Sequence, residues 1–425
     1  MRTSLTGFLW FGVGLLSLVA AACREAQPVE QDFPPDDPPV EETPFVEFRT
    51  WTAPRRIEVA PDPGPYHLYP HSLSTEGLDR LHLLFSFPVD TLHPAQKLRL
   101  GYLRYDGNEW SLQGEIDGDG WLHPAPHIVD GGGELHVFFG GVLPEERAAW
   151  LERTIFSPHL FYCRWYASGC TAPTVLVSQP AVAYKIAFGD TSPVLDSRGR
   201  IRIIVEKIDF DEILTLDPGG VLLSRAKVEG ADHHLLVAGD TLHRVYMAAS
   251  KVLGVANDLY YTYLLPGGWA EPVTIFHDVS RRGFLPVLAI DPAGVFHVVY
   301  YADGAEGGTF TVEYVRSDDR GRTWSRPEVL GVIHGPFYRA PKLLADRYGV
   351  LHVFWNQVLL ERLSNGGFGV KNSYRALREG VWEPTRFVFP GFELQIEAKA
   401  VLDGRGVVHV IFLALDGHIY HAKFE

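Results

Sequence analysis

The segment Asp291-Pro-Ala-Gly-Val-Phe-His297-Val-Val-Tyr-Tyr301 begins as a turn and continues as a strand. Asp, Pro and Gly suit a tight turn, and the β-branched and aromatic residues that follow suit a pleated, largely buried surface. The segment recurs as Asp346-Arg-Tyr-Gly-Val-Leu-His352-Val-Phe-Trp, as Asp403-Gly-Arg-Gly-Val-Val-His409-Val-Ile-Phe and as Asp130-Gly-Gly-Gly-Glu-Leu-His136-Val-Phe-Phe. Weaker copies stand at Asp196 to Arg202 and beyond, at Gly239-Asp240-Thr-Leu-His243, and at Leu81-His82-Leu-Leu-Phe85. These are seven copies, mostly spaced about 55 residues apart, a period that belongs to repeat architectures.

A second element follows most copies: a tyrosine-bearing strand, a tight turn, then Trp and often Pro leading into another strand. It runs from Tyr102 to Trp110, Tyr261 to Trp269 with Pro272, Tyr314 to Trp324 with Pro327, and Tyr374 to Trp382 with Pro384. Four strands per repeat, and no convincing helical periodicity, predict an all-β chain: a seven-bladed β-propeller of four-stranded blades. The last repeat stops at Phe424-Glu425, without a Trp/Pro strand. Its missing piece stands at the other end, where Trp51-Thr-Ala-Pro54 matches Trp324-Ser-Arg-Pro327 and Trp269-Ala-Glu-Pro272. An N-terminal strand completing the last blade therefore closes the predicted ring and covers a sheet edge. The expected organisation is 1–22 signal peptide, 23–44 tether and 45–425 a single propeller domain.

Composition agrees with this reading. The 425 residues include 42 Gly, 30 Pro, 10 Trp and only 2 Met, and 46% are hydrophobic, which excludes a mainly disordered chain. The net charge of -14 repels phosphate backbones and argues against nucleic-acid binding.

The N-terminus carries Arg2, an apolar run from Phe8 to Val19, and then Ala20-Ala21-Ala22-Cys23. This is the pattern of a bacterial secretory signal. It resembles a lipobox, with Ala20 in place of the usual Leu; the resemblance implies cleavage before Cys23 and lipidation of that residue. An ordinary small-residue cleavage site is the alternative. Arg24 to Pro44 is acidic and proline-rich with almost nothing to bury, as expected of an extended tether. A residue other than Asp after the lipidated cysteine implies export to the outer membrane or cell surface. Cys163 and Cys170 flank a hairpin-like turn and fit a disulfide in an oxidising compartment, with two free thiols as the alternative.

Ser317-Asp318-Asp319-Arg320-Gly321-Arg322-Thr323-Trp324 fits S-x-D-x-G-x-T-W at Ser317, Asp319, Gly321, Thr323 and Trp324. Here the chain resembles the Asp-box (BNR) propellers of the sialidase-like superfamily, and the resemblance implies a structural role for the box, away from the central site. Phe337-Tyr338-Arg339-Ala340-Pro341 is similar to the sialidase Arg-Ile-Pro motif, with Ala340 in place of Ile and a position late in the domain. The seven repeats also differ from the six blades typical of sialidases.

The repeated histidines occupy equivalent strands of different blades, so a ring holds them apart and a structural role is expected. His67 with His71, and His123 with His127, are closer pairs without a third ligand. Ligands of propellers meet one mouth of the channel, where this chain offers Arg281, Arg282, Tyr338, Arg339, Asn356, Glu393, Glu397 and Glu206. Converging arginines suit a carboxylated sugar, and a nearby Glu or Tyr suits acid/base work.

The expected function is a surface- or periplasm-anchored lipoprotein, expected to be a monomer, that binds a glycan or an envelope protein without catalysis. A glycan-cleaving hydrolase or polysaccharide lyase is one alternative, and an envelope scaffold another. No cofactor is required by the sequence, and a structural calcium among turns such as Asp117-Gly118-Asp119-Gly120 is left open.

Overall fold

The computed structural model describes residues 51–59, 69–88, 98–117, 127–141, 143, 159–166, 169–178, 193–205, 210–249, 257–304, 308–334, 340–362, 368–388, 398–414 and 416–424. The described residues form strands and turns without a helix, and among them no helix is long and apolar enough to cross a membrane. The propeller belongs to one compact unit, Arg49–Glu425. It contains seven antiparallel sheets, each a blade. The first strand of each sheet lies innermost. Tyr69–Glu76 of the first blade touches His127–Val129 of the second and Lys399–Leu402 of the seventh, and Gly283–Ile290 of the fifth touches Ala231–Ala238 of the fourth and Lys342–Ala345 of the sixth.

The ends of the chain meet in the seventh blade. Arg55–Arg56 pairs with Ile419–Phe424, Arg55 opposite His421 and Arg56 opposite Tyr420, and a further bridge joins Trp51 to Phe424. The outer edge of that sheet is thereby paired.

Burial explains the repeat. The second strands of three blades, Leu135–Gly141, Phe296–Asp303 and Val408–Leu413, are buried along almost their whole length. Neighbouring blades cover both faces, so the strand reads as a continuous apolar run instead of alternating. The outer strand Leu222–Val228 is exposed over most of its length. In the second, fourth and sixth blades two short strands share the outer position. Pro173, Pro272 and Pro384 fall in the breaks, where a residue without an N–H cannot continue the ladder.

The Asp of each strong repeat makes the turn. Asp291 accepts the Val295 N–H at 2.9 Å through its side chain, while its carbonyl accepts the Gly294 N–H, and Gly294 has φ 82°. Asp130, Asp196, Asp346 and Asp403 repeat the arrangement. The histidine six residues on is then held from both sides. Nδ1 of His82, His136, His243, His297 and His352 lies 2.7–2.9 Å from the hydroxyl of Tyr102, Tyr162, Tyr261, Tyr314 and Tyr374. On the far side, Nε2 of His297 and His409 lies 3.3 and 3.2 Å from Asp291 and Asp403. A tryptophan of the next blade then packs edge-on against the tyrosine: Trp165 on Tyr102, Trp324 on Tyr261, Trp382 on Tyr314 and Trp51 on Tyr374, with centroids 5.1–5.8 Å apart. The conserved spacing of Asp, His, Tyr and Trp within this chain is thus a blade-to-blade packing device. In the third blade Arg202 replaces the histidine and lies 3.5 Å from Asp196.

Cys163 and Cys170 are joined in a disulfide with Cα atoms 6.1 Å apart.

Candidate functional site

Between the outer parts of the fourth and fifth blades lies a groove of about 460 Å³, lined by Phe276, His277, Asp278, Arg281, Glu313 and Arg326 among others. The outer strand of the fourth blade, Val273–Phe276, ends just before His277, and the connection reaches the fifth blade's innermost strand at Gly283. Apolar strand residues Ile275 and Phe276 are buried, so the chain leaves the sheet at the first polar residue.

Nδ1 of His277 lies 2.9 Å from Oδ1 of Asp258, whose other oxygen accepts the Tyr260 hydroxyl at 3.2 Å. Asp258 is 3% exposed, whereas the His277 side chain is 37% exposed. A buried carboxylate that receives Nδ1–H fixes the neutral ring in the tautomer whose Nε2 carries the lone pair. That nitrogen has no protein partner among the described residues. Burial, with Asp258 alongside, pushes the Tyr260 hydroxyl up to about 12, so it remains a donor to Asp258. The arrangement is a base with its orienting group, on the rim of a groove.

Arg281 forms the opposite wall. Its guanidinium is bound to Glu313 and donates to Thr311 at 2.9 Å and to the Asp303 carbonyl at 2.6 Å. Glu313 is 1% exposed and also accepts Tyr300 at 3.0 Å and Thr311 at 2.7 Å. Burial opposes the Arg281 charge, but the bond to Glu313 outweighs it and holds the guanidinium above its usual value. Burial, then Glu313, raises the Tyr300 hydroxyl. Asp278 is held below the usual carboxylate range by the Ser280 backbone N–H, so it is an anion and a poor proton donor. Arg326 lines the groove, is exposed, and its guanidinium has no partner among the described residues.

A second Asp–His contact, His233 Nε2 to Asp211 at 2.7 Å, is wholly enclosed: the His233 side chain is 0% exposed. Burial lowers the His233 pKa, and no substrate reaches the ring. On the inner strands, His71 meets Ser86 at 2.7 Å and His127 meets Ser74 at 2.6 Å. Asp130, Glu134 and His136 have the ligand spacing of a metal group. Glu134 is paired with Arg164, and Asp130 Oδ1 accepts two backbone N–H groups.

The sequence-derived candidates are only partly brought together. Arg281 lines the groove, committed to Glu313. Arg282 turns aside to Asp303, 2.8 Å from Nε to Oδ2, and so does not converge with Arg281 on a common anion. Asn356 is 2% exposed in the sixth blade, opposite Asn372 in the neighbouring strand, and Asn372 accepts the Ala398 N–H at 3.3 Å. Tyr338, Arg339, Glu393, Glu397, Glu206, His67, His123 and Cys23 lie outside the described residues, as do the tether and Gly118-Asp119-Gly120. His277, Asp258 and Arg326 were not among the candidates. His277 falls outside the Asp–His repeat, but so do buried His127 and His233, so no sequence pattern singles it out.

The box at Ser317 is a closed turn. Asp319 Oδ1 accepts the N–H groups of Arg322 and Thr323 and the Ser317 hydroxyl, Oδ2 accepts the Thr323 hydroxyl at 2.6 Å, and Ser317 Oγ accepts the Gly321 N–H. The Thr323 hydroxyl, followed by its backbone N–H, brings Asp319 down to about 2.

No known family model and no curated protein sequence matches the chain. Solved structures do. A fungal alcohol oxidase in complex with copper is 13% identical with a TM-score of 0.51, over 89% of this chain and 76% of that one. The polysaccharide lyase Uly1 is 9% identical with a TM-score of 0.50, over 89% and 93%. An ulvan lyase bound to a glucuronate–sulfated rhamnose unit is 11% identical with a TM-score of 0.49, over 84% and 94%. At these identities the likeness is one of fold, a propeller that includes glycan-active members.

Proposed function

We propose that this propeller cleaves an acidic glycan by elimination, with His277 as the base. The observation that carries the reading is the 2.9 Å contact between exposed His277 and buried Asp258 on a groove that also holds Arg326, an arginine without a partner among the described residues. In a uronate the proton on C5 is acidified by the adjacent carboxylate, and a guanidinium bound to that carboxylate stabilises the charge that develops as the proton leaves. Arg326 supplies the guanidinium. Nε2 of His277 takes the C5 proton, the C4–O bond breaks as the C4=C5 bond forms, and the imidazolium returns its proton to the departing oxygen. Elimination is favoured over hydrolysis by the carboxylates in the groove. Glu313 is tied to Arg281, and the Ser280 backbone N–H holds Asp278 ionised, so a protonated carboxyl for a glycosidase is lacking among the described lining residues. The fold neighbour Uly1 is a polysaccharide lyase, which supports the substrate class.

The same proposal places the enzyme in the bacterial envelope, carried by lipidated Cys23 on its acidic tether, where extracellular polysaccharide is met. The test is incubation of the full chain with uronate-containing and neutral polysaccharides, reading product mass and the ultraviolet absorbance of an unsaturated uronate. An unsaturated product that disappears in His277→Ala supports the reading. Absence of product from every uronate polymer, or product undiminished in that variant, overturns it.

A further inference from the structure

On the Asp-box side of the same pair of blades lies a second groove, of about 600 Å³, walled by His243, Tyr261, Tyr263 and Phe296 and rimmed by Arg320, Arg322 and Glu271. From this geometry we infer a binding site for a single uronate sugar, separate from the groove of His277. The volume falls in the range of small-molecule sites, which are typically apolar with a few placed polar groups.

Two independent features point to an anionic sugar. First, neither the Arg320 nor the Arg322 guanidinium has a partner among the described residues, although nearby arginines do: Arg316 pairs with Asp318, Arg281 with Glu313 and Arg282 with Asp303. Two uncompensated cations at one rim are conspicuous in a chain of net charge -14. Second, the wall is aromatic. Tyr261 and Tyr263 stack at 6.1 Å with planes 26° apart, and Phe296 stands edge-on to Tyr261 at 5.7 Å. Tyr261 and Phe296 are buried while Tyr263 is half-buried, and the Tyr263 hydroxyl has no partner among the described residues. Half-buried Tyr263, backed by buried Tyr261 and Phe296, offers the face that accepts the C–H side of a pyranose, and its hydroxyl at the edge reads a sugar hydroxyl.

The box turn makes the site rigid. Arg320 has φ 63° and Gly321 φ 83°, and these two left-handed residues press Gly321 onto Tyr261: a Cβ there would stand 2.2 Å from the ring. The backbone of Arg322 is fixed at the groove's rim by its N–H bond to Asp319, with Arg320 in the same turn, and guanidinium takes carboxylate in a bidentate geometry. Glu271 accepts hydroxyls and disfavours a second negative charge, which selects a singly charged sugar. The choice of a uronate among anions rests on the proposed function; the site itself does not.

The test is calorimetric titration of the full chain with a glucuronate-containing disaccharide, its neutral glucose counterpart, and sodium sulfate. Saturable binding of the uronate, at least about tenfold tighter than the neutral sugar and lost by about tenfold or more in the Arg320→Ala/Arg322→Ala double variant and in Tyr263→Ala, supports the site. Binding should persist in His277→Ala/Arg326→Ala, which separates it from the reaction groove. No saturable binding, equal binding by the double arginine variant, loss only in the His277→Ala/Arg326→Ala variant, or equal affinity for sulfate would each overturn it.

Discussion

Asp258 and His277 meet at 2.9 Å across the end of the fourth blade, one side chain buried and the other open to the groove. The pairing separates orientation from reaction: the carboxylate is shielded from water and the imidazole is not. Asp258→Asn should therefore leave the fold intact and lower kcat by about a hundredfold or more, because the amide presents a different hydrogen-bond partner to Nδ1 and permits the wrong tautomer. KM should change little, since Asp258 does not reach the substrate. Steady-state kinetics on a uronate polymer checks both parameters; a change confined to KM would remove Asp258 from its orienting role.

Arg281 and Glu313 behave differently, as a structural pair. Arg281→Ala leaves the 1% exposed Glu313 without its cation, and removing one member of a buried pair costs about 3 kcal/mol. The urea midpoint of Arg281→Ala should fall well below that of Arg282→Ala, whose partner Asp303 is more exposed. Equal midpoints would show that Glu313 is compensated by other groups.

Buried histidines make stability depend on pH. Burial lowers His82 and His243 to about 4 and His127 to about 3, against 6.5 in an unfolded chain. Above 6.5 these rings are neutral in both states and their contribution is complete. As pH falls through 6.5 the unfolded chain takes up protons first, so stability is lost down to about pH 4, and to about 3 for His127, by on the order of 3 kcal/mol per ring. Urea unfolding at intervals between about pH 7 and pH 4 should show this decline. His243→Phe should flatten it; a flat wild-type profile would contradict the buried, neutral state of these rings.

Gly321 lies on Tyr261. Gly321→Ala adds a Cβ 2.2 Å from the ring at φ 83°, combining overlap with backbone strain, and should cost about 2 kcal/mol or more. Thermal unfolding checks it. Gly380→Ala, also at positive φ but with open space around it, should cost less.

Reduction of Cys163–Cys170 opens a loop with a sequence separation of only 7. The entropy of so short a loop corresponds to about 2.5 kcal/mol. Unfolding with and without a thiol reductant should differ by roughly that amount, and Cys163→Ser/Cys170→Ser should be insensitive to the reductant.

The fold was legible because it is written locally and repeatedly. Asp291, Gly294 and His297 encode a turn, a left-handed residue and a rung of the ladder within one short segment, and the copies at Asp346 and Asp403 carry the same instruction. Trp51 and Pro54 show the closure of the last blade because they match internal segments. The site was much less legible. Arg281 and Arg282 are adjacent in sequence, yet one turns to Glu313 and the other to Asp303. Residue type alone suggested that both were available to a ligand; their partners lie on other strands, too far along the chain for any local pattern to reveal.

Sequence by itself therefore determined the strand periodicity, the number of blades and the turns between them, since each depends on backbone propensity and on burial repeated at a fixed interval. Only the tertiary structure decided which charged and titratable groups are spent on one another and which remain open. It paired Asp258 with His277, enclosed Asp211 with His233, and left Arg320, Arg322 and Arg326 without carboxylate partners among the described residues. Those outcomes depend on distances between blades and on exclusion of water, quantities that the packed ring creates and that no single segment contains.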